Sequence, residues 1–260
     1  MSLKVNFYCD EKYKGEVYEP IESSKLFPSW FADLQYNPKK RYSIINNNPY
    51  FLDITKDSVN LKNCPGITDF LKTGYIIRSW GEFVFRETDD ESLHVNWVST
   101  YYDKTNYIIH PQEQYETMPN KPIYGHFSKI NTPWAIKTDK GVSCLITHPI
   151  WHNNKLFTTS TGVFHTDASP LSLPWFFEWN SKIKTGMSVD NIDIENQVIP
   201  KGEPIILIIP FYRKKYSHTI NYISEMEMKN MTRSQENLTR DTVASKCPYT
   251  QFRKNLGKLF

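Results

Sequence analysis

Residues 199–213 read IPKGEPIILIIPFYR, a Pro-Lys-Gly turn that feeds the apolar run 205–209 and meets a second proline at Pro210. A strand with one wet face alternates apolar and polar side chains, whereas this run of β-branched residues and Leu has no wet face to offer. It is expected as a strand covered on both sides at the centre of a β-sandwich or jelly roll, with Pro210 ending it.

The rest of the chain agrees with that centre. Aromatics make up 15% of the 260 residues (7 Trp, 16 Tyr, 15 Phe), a bias that suits pleated surfaces better than helices. The 16 Pro and 10 Gly break the sequence at short intervals, as many short strands require. The fold class read from this is mainly β, a β-sandwich or jelly roll with short helices and a helical C-terminal extension. Residues 1–216 form the sandwich with its N-terminal helices, and 217–260 the extension.

Working outward, Leu3, Val5, Phe7 and Cys9 alternate on one face of an opening strand. Short helices are expected near Pro28, with Trp30, Phe31 and Leu34 inward, and from Pro65 to a left-handed cap at Gly74. Strands follow over 75–78, 82–87 and 92–101, then a polar excursion over 103–131. Residues 132–138 and 142–147 flank Asp139-Lys140-Gly141 and read as a hairpin. Residues 157–166 read as one strand. The aromatic strand 171–179 has Trp and Phe that could stack on bases but more often are core or interface, and Pro174 marks an edge strand, which would suit a protein contact, or a bulge. Residues 219–228 alternate like a strand, and a helix is expected from Thr232, where Gln235 stands at capping-box spacing.

A net charge of +3, from 31 basic and 28 acidic residues, does not build the field that non-specific nucleic-acid binders use, so nucleic acid is not indicated. No apolar run is long enough to span a membrane, and residues 1–8 lack a signal-peptide core, so no membrane is expected. Cys9, Cys64, Cys144 and Cys247 form no CxxC pair, which excludes a zinc ribbon and a redox motif and points to a reducing setting. P-loop, GxGxxG, GxSxG and HExxH patterns are missing.

Several segments taken in order, among them Phe27-Pro28-Ser29-Trp30-Phe31, Lys62-Asn63-Cys64-Pro65-Gly66-Ile67, Pro133-Trp134-Ala135-Ile136-Lys137-Thr138, Thr161-Gly162-Val163-Phe164-His165-Thr166-Asp167 and Pro210-Phe211-Tyr212-Arg213, resemble a family of accessory proteins carried by large tailed phages and some bacteria. The resemblance spans roughly residues 25–213. It implies a phage origin, host cytoplasm or virion as location, and no assigned chemistry. A thinner resemblance, in Gly162-Val163, Asp167 and Gly202, is to trimeric deoxyuridine triphosphatases and deoxycytidine triphosphate deaminases. Those enzymes carry an Arg-Ser pair shortly before the Gly-Val motif; here Arg78-Ser79 lies far upstream, and no Gly-rich C-terminal arm follows.

One constellation carries candidate chemistry. His165 and Asp167 have HxD spacing, which puts both side chains on one face of a strand, and His218 could complete a two-histidine, one-carboxylate set for Fe(II). Under that alternative the scaffold is an Fe(II)/2-oxoglutarate oxygenase, with Arg213 or Arg233 pairing the cosubstrate carboxylate. The plainer reading of Thr166-Asp167-Ala168-Ser169-Pro170 is a strand ending in an Asx-type turn. His148 and His152 stand four apart, but Pro149 opposes the helix that would make them ligands. Cys144, inside the expected hairpin, reads as a small packed apolar residue, and as a nucleophile it would need a nearby base that the sequence does not specify. The leading expectation is an accessory protein that binds a protein partner, with a homo-oligomer possible and no cofactor of its own.

Overall fold

A computed structural model describes residues 3–34, 43–44, 52–53, 61–87, 93–98, 107–118, 127–152, 154–180 and 198–231. The acidic turn 88–91, most of the basic and Asn-rich loop 38–48, the helix expected from Thr232, Arg233, Cys247 and the basic tail 253–258 lie outside them. In chain order the strands are β1 (Val5–Tyr8), β2 (Ile21–Glu22), β3 (Ser43–Ile44), β4 (Leu52–Asp53), β5 (Tyr75–Arg78), β6 (Glu82–Glu87), β7 (Leu93–Val98), β8 (Tyr107–Ile109), β9 (Ser128–Thr138), β10 (Val142–Thr147), β11 (Phe157–Thr159), β12 (Gly162–Phe164), β13 (Leu171–Trp179), β14 (Val198–Ile199) and β15 (Pro204–Tyr212). Helices α1 (Ser29–Asp33) and α2 (Pro65–Leu71) are short.

The chain divides into two compact units, Met1–Leu26 with Thr73–Lys214, and Phe27–Lys72 with Lys215–Phe260. The first unit is the sandwich. One sheet runs β1-β9-β13-β11 with β8 also on β9; a second runs β12-β10-β15-β5-β2; a three-stranded sheet runs β14-β6-β7, and every pairing is antiparallel. The second unit holds α1, α2, the β3-β4 pair and residues 215–231. Within it Lys62 Nζ donates to the carbonyls of Ala32 (3.1 Å) and Leu34 (2.8 Å), meeting acceptors left open at the end of α1. Among the described residues no helix is long and apolar enough to cross a membrane.

The deciding stretch is where its composition puts it. β15 is the middle strand of its sheet, between β10 and β5, and Ile205, Ile206, Leu207 and Ile208 are all buried. One detail differs from expectation: Pro210 does not end the strand, which continues to Tyr212 with Pro210 opposite Cys144. Pairing with β5 has already stopped at Ile208↔Tyr75, so the residue without an N–H sits where β15 has lost one neighbour. A register shift between Pro204 and Ile206 makes Ile205 the extra residue of a bulge, and both Ile205 and Ile206 reach the core. Gly74, at φ +82°, lies against this strand; a Cβ there would stand 2.1 Å from the Ile208 carbonyl oxygen.

The core lies between the sheets. β13 supplies Leu173, Trp175, Phe177 and Trp179, with Ile130 and Ile136 from β9, and these meet Ile77, Cys144, Ile146, Ile206 and Ile208 of the β15 sheet. Trp175 and Phe177 stack at 4.0 Å with Phe157 edge-on to Trp175 at 4.9 Å. The buried indole N–H of Trp175 donates to Thr159 Oγ1 (3.1 Å), whose hydroxyl donates to the Ile205 carbonyl, so one side chain ties β11 of one sheet to β15 of the other.

Four expectations are corrected by these pairings. β9 and β10 are not a hairpin: the turn at Gly141 (φ +81°) carries the chain from one sheet to the other, each strand pairing elsewhere. Residues 157–166 likewise split at Ser160-Thr161 into β11 and β12, one in each sheet. β13 is interior, which removes the edge-strand reading and leaves the other two: its period-2 aromatics are core, and Pro174 lies at a register shift between Ser172 and Pro174. The excursion 103–131 contains β8 and the start of β9.

Candidate functional site

The candidate residues gather where β10 is flanked by β12 and β15. Extending the registers Cys144↔Phe164 and Val142↔Tyr212 by one residue sets His165 opposite Ser143 and Arg213 opposite Gly141. The Arg213 N–H donates to the Gly141 carbonyl at 2.8 Å. On the face of β10 away from Cys144, the fully buried Ser143 hydroxyl lies 2.8 Å from His165 Nδ1 and accepts from Arg213 Nη1 at 2.8 Å. Arg213 also grips Asp167 with both arms of its fork, Nη1 to Oδ1 at 3.0 Å and Nη2 to Oδ2. The Gly141 N–H adds a third donor to Asp167 Oδ2, at 2.9 Å.

The electrostatics follow from those contacts. The Arg213 guanidinium, and after it the Gly141 N–H, hold the Asp167 carboxyl well below the usual carboxylate range. Arg213 is raised in turn, chiefly by its bond to Asp167. Beneath the charged layer, Thr166 is buried with its hydroxyl 2.7 Å from that of Thr138 and 3.5 Å from Cys144 Sγ. Burial pushes the Cys144 thiol up, so it packs as a small apolar group.

A serine beside an imidazole is the geometry of a nucleophile with its base. Here the serine oxygen is sealed and already accepts from Arg213, while the carboxylate is bound to the guanidinium. As arranged, donors and acceptors match one another, and the cluster fastens the strand ends of β12 and β15 to the turn at Gly141.

His165 and Asp167 thus share one side, as HxD spacing requires, and both meet Arg213. His218 belongs to the second unit, in the exposed segment after β15. Among the described residues no three His, Cys, Asp or Glu are grouped to hold a metal ion. Fe(II) at Asp167 would have to displace Arg213 and the Gly141 N–H. The carboxylate that Arg213 pairs in this structure is that of Asp167.

The other histidine pair is half-buried. His148 Nδ1 accepts from the Thr159 N–H at 3.2 Å and its ring stands edge-on to Phe157 at 5.6 Å. That lone pair is spent, which puts the ring proton on Nε2 and leaves no free nitrogen for a metal. Burial, with His152 second, pulls His148 down to about 4. Ser79, of the Arg78-Ser79 pair, is also saturated: its hydroxyl donates to the Pro200 carbonyl (2.6 Å) and accepts from the Glu203 N–H (2.9 Å).

Sequence reasoning named His165, Asp167 and Arg213 but missed their joining through Ser143. The available signal was parity: Ser143 lies on the outer face of a strand whose inward residues, Val142 and Cys144, are apolar.

No protein-family model matches the chain, and a search of curated proteins returns no match. Among solved structures, a mutant dUTPase of Staphylococcus bacteriophage 80alpha with dUpNHpp is similar at a TM-score of 0.31 and 13% identity, covering 59% of this chain and 80% of that one. A superposition at that score fixes no architecture, and the sandwich above rests on its own strand pairings.

Proposed function

We propose that the protein is an accessory factor of phage type that acts by binding another protein, as a particle component or on a host protein, through the segment that follows β15. The observation that carries this reading is the exposure of that segment's large side chains: Tyr216 88%, Ile220 72%, Tyr222 96% and Met226 73%. Scattered apolar residues on a surface are ordinary, but a contiguous run is characteristic of contact surfaces. Tyr216, Ile220 and Tyr222 occupy even positions, which an extended chain sets on one side. Lys214, Lys215 and His218 accompany them. The fitting partner offers an apolar groove edged with carboxylates.

The matched polar cluster around Arg213 supports the same reading, since it is built to hold strand ends. The test sets a photo-crosslinking side chain at position 222, both in the otherwise native chain and in a chain whose Tyr216 and Ile220 are replaced by Ser. Crosslinks to one protein of the particle or host, lost in the Ser variant while the unfolding midpoint stays unchanged, are the expected result. Equal capture by both chains overturns the reading.

A further inference from the structure

We propose that the cleft between the sandwich edge strands β1 and β2 binds a small organic carboxylate, with Arg78 as its anchor. β1 and β2 are outer strands of the two facing sheets, so the cleft is the open margin of the sandwich. Its volume is about 350 Å³, the size of a small-molecule site. Val5, Phe7, Ile21 and Tyr75 give it apolar walls, with Phe7 edge-on to Tyr75 at 5.3 Å.

Arg78 sets the ligand chemistry. A guanidinium has five N–H donors in a fixed fork. Among the described residues Arg78 makes no ion pair, and its buried Nε has no acceptor. A buried, unmet donor is costly unless something else fills the vacancy. The side chain is nevertheless held in place: it leaves the end of β5, and its guanidinium carbon lies 4.1 Å from the centre of the Tyr18 ring. Tyr18 is backed by Gly202, at φ +94°, where a Cβ would stand 3.0 Å from the ring. A planar cation held on an aromatic face, with an unmet donor, at a cleft that has both apolar and charged walls matches a carboxylate attached to an apolar body.

The acidic wall residues narrow the class. Glu22 pairs with Lys25 at 3.2 Å, leaving Glu19 as the carboxylate in the cleft without a salt bridge among the described residues. Arg78 and Lys25 are matched in number by Glu19 and Glu22, so the cleft has no net positive charge and disfavours a doubly charged phosphate more than a single carboxylate.

The experiment titrates benzoate, its neutral isostere benzamide, and inorganic phosphate into the full-length protein, followed by calorimetry. Benzoate is expected to bind at least about tenfold more tightly than benzamide or phosphate. Arg78→Met is expected to abolish the preference for benzoate over benzamide, and Arg78→Lys to weaken it because the fork is lost. Should Arg78→Met fail to fold, Glu19→Gln tests the same geometry from the other side, by tightening benzoate and sparing benzamide. Equal binding of benzoate and benzamide, no benzoate binding at millimolar concentration, or an unchanged preference in Arg78→Met overturns the proposal. Phosphate binding more tightly than benzoate overturns the carboxylate assignment.

Discussion

At Asp167 a single carboxylate takes two bonds from Arg213 and one from Gly141, and the sign of its contribution follows. Its folded pKa lies below the ordinary value near 4, so the stabilisation is complete above that value and is lost as acid protonates the folded state. Asp167→Asn is therefore expected to lower the melting temperature at pH 5–8 by a roughly constant amount. The gap to wild type should begin to narrow below about pH 4 and close only in stronger acid, where the folded state takes up the proton. Parallel melting curves from pH 8 to pH 2 check this, and a gap that does not narrow at all between pH 4 and pH 2 contradicts it.

His148 runs by the same rule with the other charge type. Burial holds the imidazole neutral down to about 4, whereas the unfolded chain takes up its proton near 6.5. Stability is expected to fall as pH drops from about 6.5 towards 4, because over that window the unfolded state binds more protons. His148→Asn keeps an acceptor for the Thr159 N–H and cannot titrate. Its stability should be flatter with pH, the remaining slope coming in part from His152, which burial also lowers.

Among elements, what was legible in the sequence and what was not divides along a physical line. Burial pattern is a property of one strand: the unbroken run at 205–208 announces two covered faces, and β15 is central. Glycine conformation is equally local, and Gly74 and Gly141 both take positive φ where a cap and a turn were expected. Pairing is a property of two strands and is not written in either. Asp139-Lys140-Gly141 looks the same whether its flanks pair beside each other or arch between sheets, and only the non-local partners β1, β13, β12 and β15 decide. The row Leu173, Trp175, Phe177, Trp179 was visible as an alternation, but whether it met solvent or a second sheet depended on strands far away in sequence. The polar cluster was half legible for the same reason: HxD spacing placed His165 and Asp167 together, while Ser143 and Arg213 come to them through register.

Thr159 tests the link between the sheets. Thr159→Val keeps shape but strips the Ile205 carbonyl of its donor and the Trp175 indole of its acceptor, both in the core. Each unmet buried group costs about 1–3 kcal/mol, so a loss of about 2–4 kcal/mol in urea unfolding is expected. Thr159→Ser, which keeps the hydroxyl and loses one methyl, should cost about 1 kcal/mol. If Val is tolerated better than Ser, the hydroxyl is not the tie between β11 and β15.

Over the molecule as a whole, order and exposure separate along the chain. The sandwich closes its last strand with the Arg213 N–H on Gly141, and the residues that follow are exposed one after another from Tyr212 to Met231. Residues 219–228, expected as an alternating strand, have no regular structure until a helix starts at 225. The reason is local: Ser224 and Glu227 form a reciprocal cap, the Ser224 N–H on Glu227 Oε2 at 2.9 Å and the Glu227 N–H on Ser224 Oγ at 3.3 Å. The bonds after Lys214 and Lys215 therefore lie in irregular, exposed backbone, which proteases select. Brief trypsin treatment of dilute protein is expected to cut there first, and brief chymotrypsin treatment to cut after Tyr216 while sparing Leu207 and Phe211 in β15. A docked partner would cover the same bonds, and the two candidates separate by concentration dependence. Protection that rises with the protein's own concentration identifies a second copy as the occupant, and protection only in extracts from infected cells identifies a different protein. Chymotryptic cutting after Leu207 or Phe211 ahead of Tyr216 would mean that the Arg213 clasp does not hold the end of β15.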